Sequence, residues 1–327
     1  MSFRRLTASH CVFAILTCPP LVSWSAAAVH VDGSSTVFPI AVQVATELRE
    51  TQQDAPVIDI GISGTSGGFR KFCRGATEIS NASRPITREE MDECERHRVR
   101  YVELPVAFDA ITVVVNARND FIRHITVEQL KRLWEPGAEQ RVMRWNQLDP
   151  AWPDSPIKLY GPAGDSGTFD YFTEVIVGRA RASRQDYAKS EDDKVLVQGV
   201  ARELNALGYF GYAYYVENRT RLRALSVADK GRPPVEPSLE SVILGRYVPL
   251  SRPVFVYVNA AALERPEVLR FVEFWLLNGV RAAKLAKYIP LSDNMYSAAL
   301  DRLRHRRTGT KFGGAISSSM PLDKRLE

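Results

Sequence analysis

The sequence predicts an α/β protein built on a mainly parallel sheet, and three observations carry that expectation. Short β-branched runs alternate with amphipathic helical patterns along most of the chain. Three of the strand-to-helix junctions are clusters of glycine and hydroxyl residues: Gly33-Ser34-Ser35-Thr36-Val37, Gly64-Thr65-Ser66-Gly67-Gly68 and Gly164-Asp165-Ser166-Gly167-Thr168. The 327 residues, less a leader, leave enough chain for two domains of about 150 residues, each with its own core.

The leader reads as an export signal spanning 1–28. Arg4 and Arg5 form its basic start, Cys11 to Trp24 is largely apolar, and Ala26-Ala27-Ala28 offers a cleavage site. Pro19-Pro20 interrupts the apolar stretch, so no membrane anchor is expected there, and Ile15-Leu16-Thr17 before Cys18 makes a poor lipoprotein signature. Val29-His30-Val31 then leads into the first junction, after which Val37, Ile40, Val44 and Leu48 share a helical face. Val57 to Ile60 leads into the second, followed by Phe69, Phe72 and Cys73, and Ile157 to Tyr160 into the third, followed by Phe169, Phe172 and Ile176. Thr126-Val127-Glu128-Gln129 is a capping box opening a helix with Leu130 and Leu133. Ala206 to Tyr212 reads as a buried strand with glycines for close approach. The polar residues after 308 read as a low-complexity tail.

Two further runs, Ala110 to Asn116 and Pro253 to Asn259, are near-continuous strands ending in Asn. If both cross between lobes, the chain begins in one, builds the other between 108 and 253, and returns. Two ordinary buried strands fit these runs equally well.

The junctions have the chemistry of an anion cage. A helix start exposes unpaired N–H groups and the positive end of the helix dipole, glycine admits an oxyanion to the backbone, and hydroxyls add donors. A single junction of this kind is usually only a cap or turn. Three of them, at the carboxyl ends of strands, point to one small tetrahedral ligand.

Without the leader the chain carries 41 basic and 38 acidic residues, a net charge of +3 that gives no case for nucleic-acid binding. The run Arg302 to Arg307 is expected to be a solvated helix face, with contact to an acidic partner as the alternative. Cys73 and Cys94 are the two cysteines outside the leader, and in an exported protein they are expected to form a disulfide. The alternative is a pair of buried thiols.

The order and spacing of Val31 to Pro39, Gly61 to Phe69, Ala82-Ser83-Arg84-Pro85-Ile86, Gly164 to Phe169 and Leu207 to Tyr212 resemble the periplasmic phosphate-binding proteins of ABC uptake systems, the PstS family of type II solute-binding proteins. The resemblance runs over nearly all of the chain beyond the leader. It implies two α/β lobes joined by two crossing strands, with a ligand cleft between them: 29–107 plus 254–327 as one lobe, 108–253 as the other. It also implies a periplasmic monomer that binds inorganic phosphate and passes it to membrane permease subunits, with no cofactor, metal or catalysis. Carried over by position, the ligand set is Ser35, Thr36 and Val37 from the first junction, Thr65 from the second, and Ser166, Gly167 and Thr168 from the third.

Arg84 stands where better-known members have an aspartate, and Pro162 where they have an arginine. Arg84 is therefore expected to supply the guanidinium for the oxyanion, and its Ala-Ser-x-Pro loop shows no local acid for it to pair with. The expected proton acceptor, which separates protonated phosphate from sulfate, is missing from its place. Asp165 is the first candidate replacement and Asp109 the second; the plainer role for Asp165 is a helix N-cap.

Other classes fit less well. Gly164 to Thr168 echoes the nucleophile motif of trypsin-like proteases and Leu6 to Cys11 their histidine motif, yet His10 lies in the leader and the α/β pattern is not an all-β barrel. A phosphatase would need a metal cluster or phosphate loop, and the sequence has no H-x-x-x-H, C-x-x-C or G-x-x-x-x-G-K. Binding of a sulfate-like oxyanion, surface attachment and sensing remain as alternative roles.

Overall fold

The computed structural model describes residues 28–316. The expected leader, with His10, Cys11 and Cys18, lies outside them. The chain opens with β1 (Val29–Gly33), α1 (Phe38–Thr51), β2 (Ile58–Ile60), α2 (Gly64–Phe72), β3 (Ile79–Ala82), α3 (Arg88–Arg96) and the long β4 (Tyr101–Asn116). It continues through β5 (His124–Thr126), α4 (Val127–Trp134), β6 (Lys158–Pro162), α5 (Gly167–Phe172), β7 (Ala188–Ser190), α6 (Asp193–Arg202), β8 (Ala206–Gly211), α7 (Tyr212–Glu217), β9 (Leu222–Ala224), β10 (Ser226–Ala228) and α8 (Leu239–Ile243). β11 (Ser251–Asn259) returns it to α9 (Pro266–Leu277), α10 (Gly279–Leu285) and α11 (Asp293–Arg304).

The helices form where the apolar spacing places them. Ile40, Val44 and Leu48 of α1, and Phe69 and Phe72 of α2, are all fully buried. Burying side chains of this size contributes about 1.5–3 kcal/mol each, which fixes the helices to the sheet more firmly than propensity does. α4 starts at the expected capping box: Gln129 N donates to Thr126 Oγ1 at 3.0 Å and Thr126 N to Gln129 Oε1 at 2.9 Å.

One sheet of nine strands runs in the order β2-β1-β3-β11-β4-β8-β6-β7, with β9 also paired to β4. The expectation of a mainly parallel sheet needs correction. β1/β2, β1/β3, β6/β7 and β6/β8 are parallel, but β11/β3, β11/β4, β4/β8 and β4/β9 are antiparallel. The reason is that β4 and β11 run through the middle in opposite directions, one leaving and one returning. β4 is 16 residues long, starting well before Ala110. Glu103 and Pro105 break its apolar pattern in the sequence, but the Glu103 carboxylate is buried and satisfied by Tyr257 Oη, Thr310 Oγ1 and Lys311 N. Pro105 sits opposite Phe255, where the register shifts, which tolerates its missing N–H.

Two hydrophobic cores flank this spine, giving the two-lobed fold. One includes Ile40, Phe69, Val256 and Trp275, the other Trp134, Phe172, Tyr209 and Leu250, and Phe108 of β4 packs against both. The residues from 308 to 316 are not a loose tail: Phe312 is buried against Phe255, and Ile316 packs against the second core. The basic run from Arg302 divides likewise, since Arg302 is buried while Arg304, His305, Arg306 and Arg307 are exposed.

Cys73, just past α2, and Cys94 of α3 form a disulfide, with Cα atoms 4.2 Å apart and a sequence separation of 21. In the chain-entropy view the closed loop contributes about 3 kcal/mol. Cys73→Ala/Cys94→Ala is therefore expected to lower the urea midpoint accordingly, and an unchanged midpoint would show that the bridge adds nothing to stability.

Candidate functional site

The three junctions follow β1, β2 and β6, and they meet across the seam between the lobes. Thr36 Oγ1 is 2.9 Å from Thr168 Oγ1. Ser66 N donates to the Asp165 carbonyl at 2.9 Å, and Tyr214 Oη to the Ser35 carbonyl at 2.9 Å. Gly167 is wedged between hydroxyls of the other lobe: a Cβ there would lie 2.5 Å from Thr65 Oγ1 and 2.7 Å from Ser83 Oγ. Gly64, at φ +74°, likewise leaves room for the Asp165 carbonyl. These contacts describe a closed cleft.

The sequence-predicted residues divide by what they face. Thr36, Thr65, Gly167 and Thr168 converge, with Ser83 beside them: Ser83 N donates to Thr65 Oγ1 at 3.1 Å. Ser35 is buried next to Thr36, but the Val37 N–H already donates to the Ser34 carbonyl at 3.2 Å. Ser166 caps α5, its Oγ accepting from Thr168 N and Phe169 N at 3.1 and 3.4 Å. That corrects the N-cap role offered to Asp165: Ser166 sits at the position where its short side chain reaches both orphan donors.

Asp165 turns its carboxylate outward to Arg70, with bonds of 2.9 and 2.5 Å at a half-exposed position. The Arg70 hydrogen bond holds that carboxyl below the usual range. A carboxylate so stabilised as an anion is a poor proton acceptor.

The expectation that Arg84 lacks a local acid is also overturned. Its Nε donates to Asp170 Oδ2 at 2.7 Å, and its two terminal nitrogens donate to Glu90 Oε2 and Oε1 at 2.8 and 2.7 Å, to the Pro85 carbonyl at 3.0 Å and to Ser66 Oγ at 2.9 Å. Glu90 comes from the first turn of α3, where it also closes a capping box with Thr87. Asp170 comes from the opposite lobe. All five N–H groups of Arg84 thus meet protein acceptors in the closed form. A groove of about 620 Å³ runs beside this pair, lined by Ser66, Arg70, Arg84, Glu90, Asp170 and Arg181 among others.

Sequence reasoning missed a second buried arginine. Arg252 of β11 lies directly across the ladder from Asp109 of β4. Its Nη2 is 3.1 Å from Asp109 Oδ2 and 2.7 Å from Thr168 Oγ1, and its Nη1 donates to the Gly167 carbonyl at 3.1 Å. Burial pushes the Asp109 carboxyl up against the pull of Arg252. Asp193 feels this pair, and burial pushes its carboxyl up to about 8; beside Asp165, burial pushes Glu191, which accepts from Asp165 N, up to about 7. The available signal was positional, because Asp109 and Arg252 each stand one residue before a predicted crossing strand with opposite charge.

Residues 22–278 match the family model for a PBP superfamily domain. Protein SphX from Synechocystis sp. is 50% identical over 317 residues, covering 97% of this chain and 93% of that protein. Phosphate-binding protein PstS from Staphylococcus saprophyticus is 35% identical over 273 residues, 83% of each chain. This chain belongs to the PstS-like phosphate-binding proteins of the PBP superfamily. Solved structures agree with the family fold. A possible phosphate-binding protein from Planctomyces limnophilus is 42% identical with a TM-score of 0.63, covering 86% of this chain and 98% of that one. A protein assigned as a phosphate ABC transporter substrate-binding protein from Clostridium perfringens, solved with bound phosphate, is 25% identical with a TM-score of 0.68, covering 81% of this chain and all of that one. The family is one of solute binders, and among the described residues there is no cluster of His, Cys, Asp and Glu able to hold a metal ion. Among the same residues no helix is long and apolar enough to cross a membrane.

Proposed function

We propose that the chain binds one inorganic phosphate between its lobes and delivers it to the permease subunits of an ABC transporter, acting as a monomer exported to the periplasm. The observation that carries this reading is the meeting of three helix-start junctions from both lobes at Thr36, Thr65 and Gly167-Thr168. The names of the relatives and the phosphate bound in the Clostridium perfringens structure support it. Ser35, Thr36, Thr65, Ser166, Gly167 and Thr168 supply backbone and hydroxyl donors once the anion parts the closed seam, and Val37 joins them if its N–H exchanges the Ser34 carbonyl for the anion. Arg84 forms one wall, pairing the lobes through Asp170. A micromolar affinity, about −8 kcal/mol, is within reach of a cage of neutral and charge-assisted hydrogen bonds.

The proton acceptor in this reading is Asp109 rather than Asp165, because Asp109 is buried at the hinge beside Thr36 and Gly211 while Asp165 is tied to Arg70 at the rim. Calorimetry on phosphate-stripped protein, with sulfate as competitor, tests both points. One-to-one heat with phosphate and none with sulfate is expected; heat with sulfate alone would sink the phosphate reading. Asp165→Asn is expected to leave the phosphate-to-sulfate ratio unchanged, while Asp109→Asn lowers it by tenfold or more, since an amide can donate to an anion that has no proton to give.

A further inference from the structure

We infer that Arg252, at the hinge end of β11, is the guanidinium that meets the bound oxyanion, an inference that rests on the phosphate reading above. The closed seam holds two buried arginines, and they differ in what surrounds them. Arg84 is clamped by two carboxylates, Glu90 and Asp170, and each of its N–H groups has a protein acceptor. An anion could take only the places of the Pro85 carbonyl and the Ser66 hydroxyl, and there it would face two carboxylates that already neutralise the guanidinium.

Arg252 hydrogen-bonds a single carboxylate, Asp109, with the buried Asp193 as a more distant acid. Its bonds to Asp109 Oδ2 are long, 3.4 Å from Nε and 3.1 Å from Nη2, and its remaining contacts are neutral. Those neutral contacts are Gly167 and Thr168, the third junction itself, and Thr168 touches Thr36 of the first. The guanidinium therefore sits where hydroxyls from both lobes already converge. Four hydrogen bonds from a group with five N–H donors leave Nη1 with one to offer, and the Thr168 and Gly167 bonds can be exchanged for oxyanion contacts without uncovering a charge. The plane of the group is held over the Tyr171 ring, 5.6 Å from its centroid, and Tyr171 Oη is anchored on the Ser251 carbonyl at 3.0 Å. Because β4 and β11 run through both lobes, the Asp109–Arg252 pair lies at the floor of the cleft, where an anion that closes the lobes would rest.

The test is a calorimetric titration with inorganic phosphate of stripped wild type, Asp109→Asn, and Arg252→Gln/Asp109→Asn. The double variant removes both charges together, so neither is left buried alone, and urea unfolding checks its fold. We expect the double variant to bind phosphate at least 100-fold more weakly than wild type and at least tenfold more weakly than Asp109→Asn, which keeps the guanidinium. A double variant within threefold of wild type overturns this inference while leaving the phosphate reading intact. Wild type that gives no heat with phosphate overturns both. If the double variant does not fold, a crystal structure of wild type with inorganic phosphate decides: an Arg252 nitrogen within about 3.2 Å of a phosphate oxygen supports the assignment. Phosphate bound with Arg252 still on Gly167 and Thr168 refutes it.

Discussion

Gly167→Ala is expected to leave the protein folded and to weaken phosphate binding by at least 100-fold. The Cβ would lie 2.5 Å from Thr65 Oγ1, 2.7 Å from Ser83 Oγ and 2.9 Å from Thr65 Cβ, all in the opposite lobe. These are short side chains joined to one another by hydrogen bonds, so they have little room to retreat. Opening the lobes relieves these three closest clashes, and alanine is at home in the first turn of a helix. The penalty therefore falls on closure alone, and a ligand that touches both lobes loses affinity by whatever closure now costs. Calorimetry reads the loss. Small-angle scattering should show phosphate shrinking the wild type but not the variant, and equal compaction of both would remove Gly167 from the closing contact.

Arg84→Ala should be the most damaging single substitution at the seam. Arg84 and Asp170 expose 1% and 3% of their side chains and Glu90 only 14%, so removing the guanidinium leaves two carboxylates facing each other out of water. Breaking a buried pair in this way typically costs about 3–5 kcal/mol. Part of the loss appears in urea unfolding and part in phosphate affinity, because Asp170 belongs to the opposite lobe and keeps Arg181 as a partner at 3.2 Å. Arg84→Lys should recover only a fraction, since an ammonium cannot reproduce the bidentate bond to Glu90. A destabilisation below about 1 kcal/mol would contradict the buried-pair account.

By contrast, the Arg70–Asp165 pair also bridges the seam but is half-exposed, and pairs of that kind are worth about 0–1 kcal/mol. Short distances alone do not rank these contacts; burial does.

Much of the site was legible because its signals are local. Glycine and hydroxyls between a strand and an amphipathic helix announced all three junctions, and the structure brings Thr36, Thr65, Gly167 and Thr168 together. The capping box at Thr126 and the disulfide partners were equally readable. Thr87-x-x-Glu90 carries the same capping signature and went unread in the sequence, while the second bond of Glu90, to Arg84, has no local mark at all. The bond of Asp165 to Arg70 was unreadable for a comparable reason: a carboxylate beside an anion loop reads alike whether it points into the cleft or out to an arginine.

Taken alone, the sequence determined the strands that lead into the three junctions, the helices that leave them and the glycine-lined junctions themselves, because hydrophobic period, capping and backbone freedom act over a few residues. The tertiary structure decided which charge neutralises which. Arg84 meets Asp170 across 86 residues and Arg252 meets Asp109 across 143, and neither separation leaves a pattern in a single chain. It also made the sheet mixed, because the direction in which β4 leaves and β11 returns depends on how two lobes share one spine. Electrostatic partners inside a closed cleft are chosen by burial, where an unpaired charge costs several kcal/mol, and burial exists only once the lobes have packed.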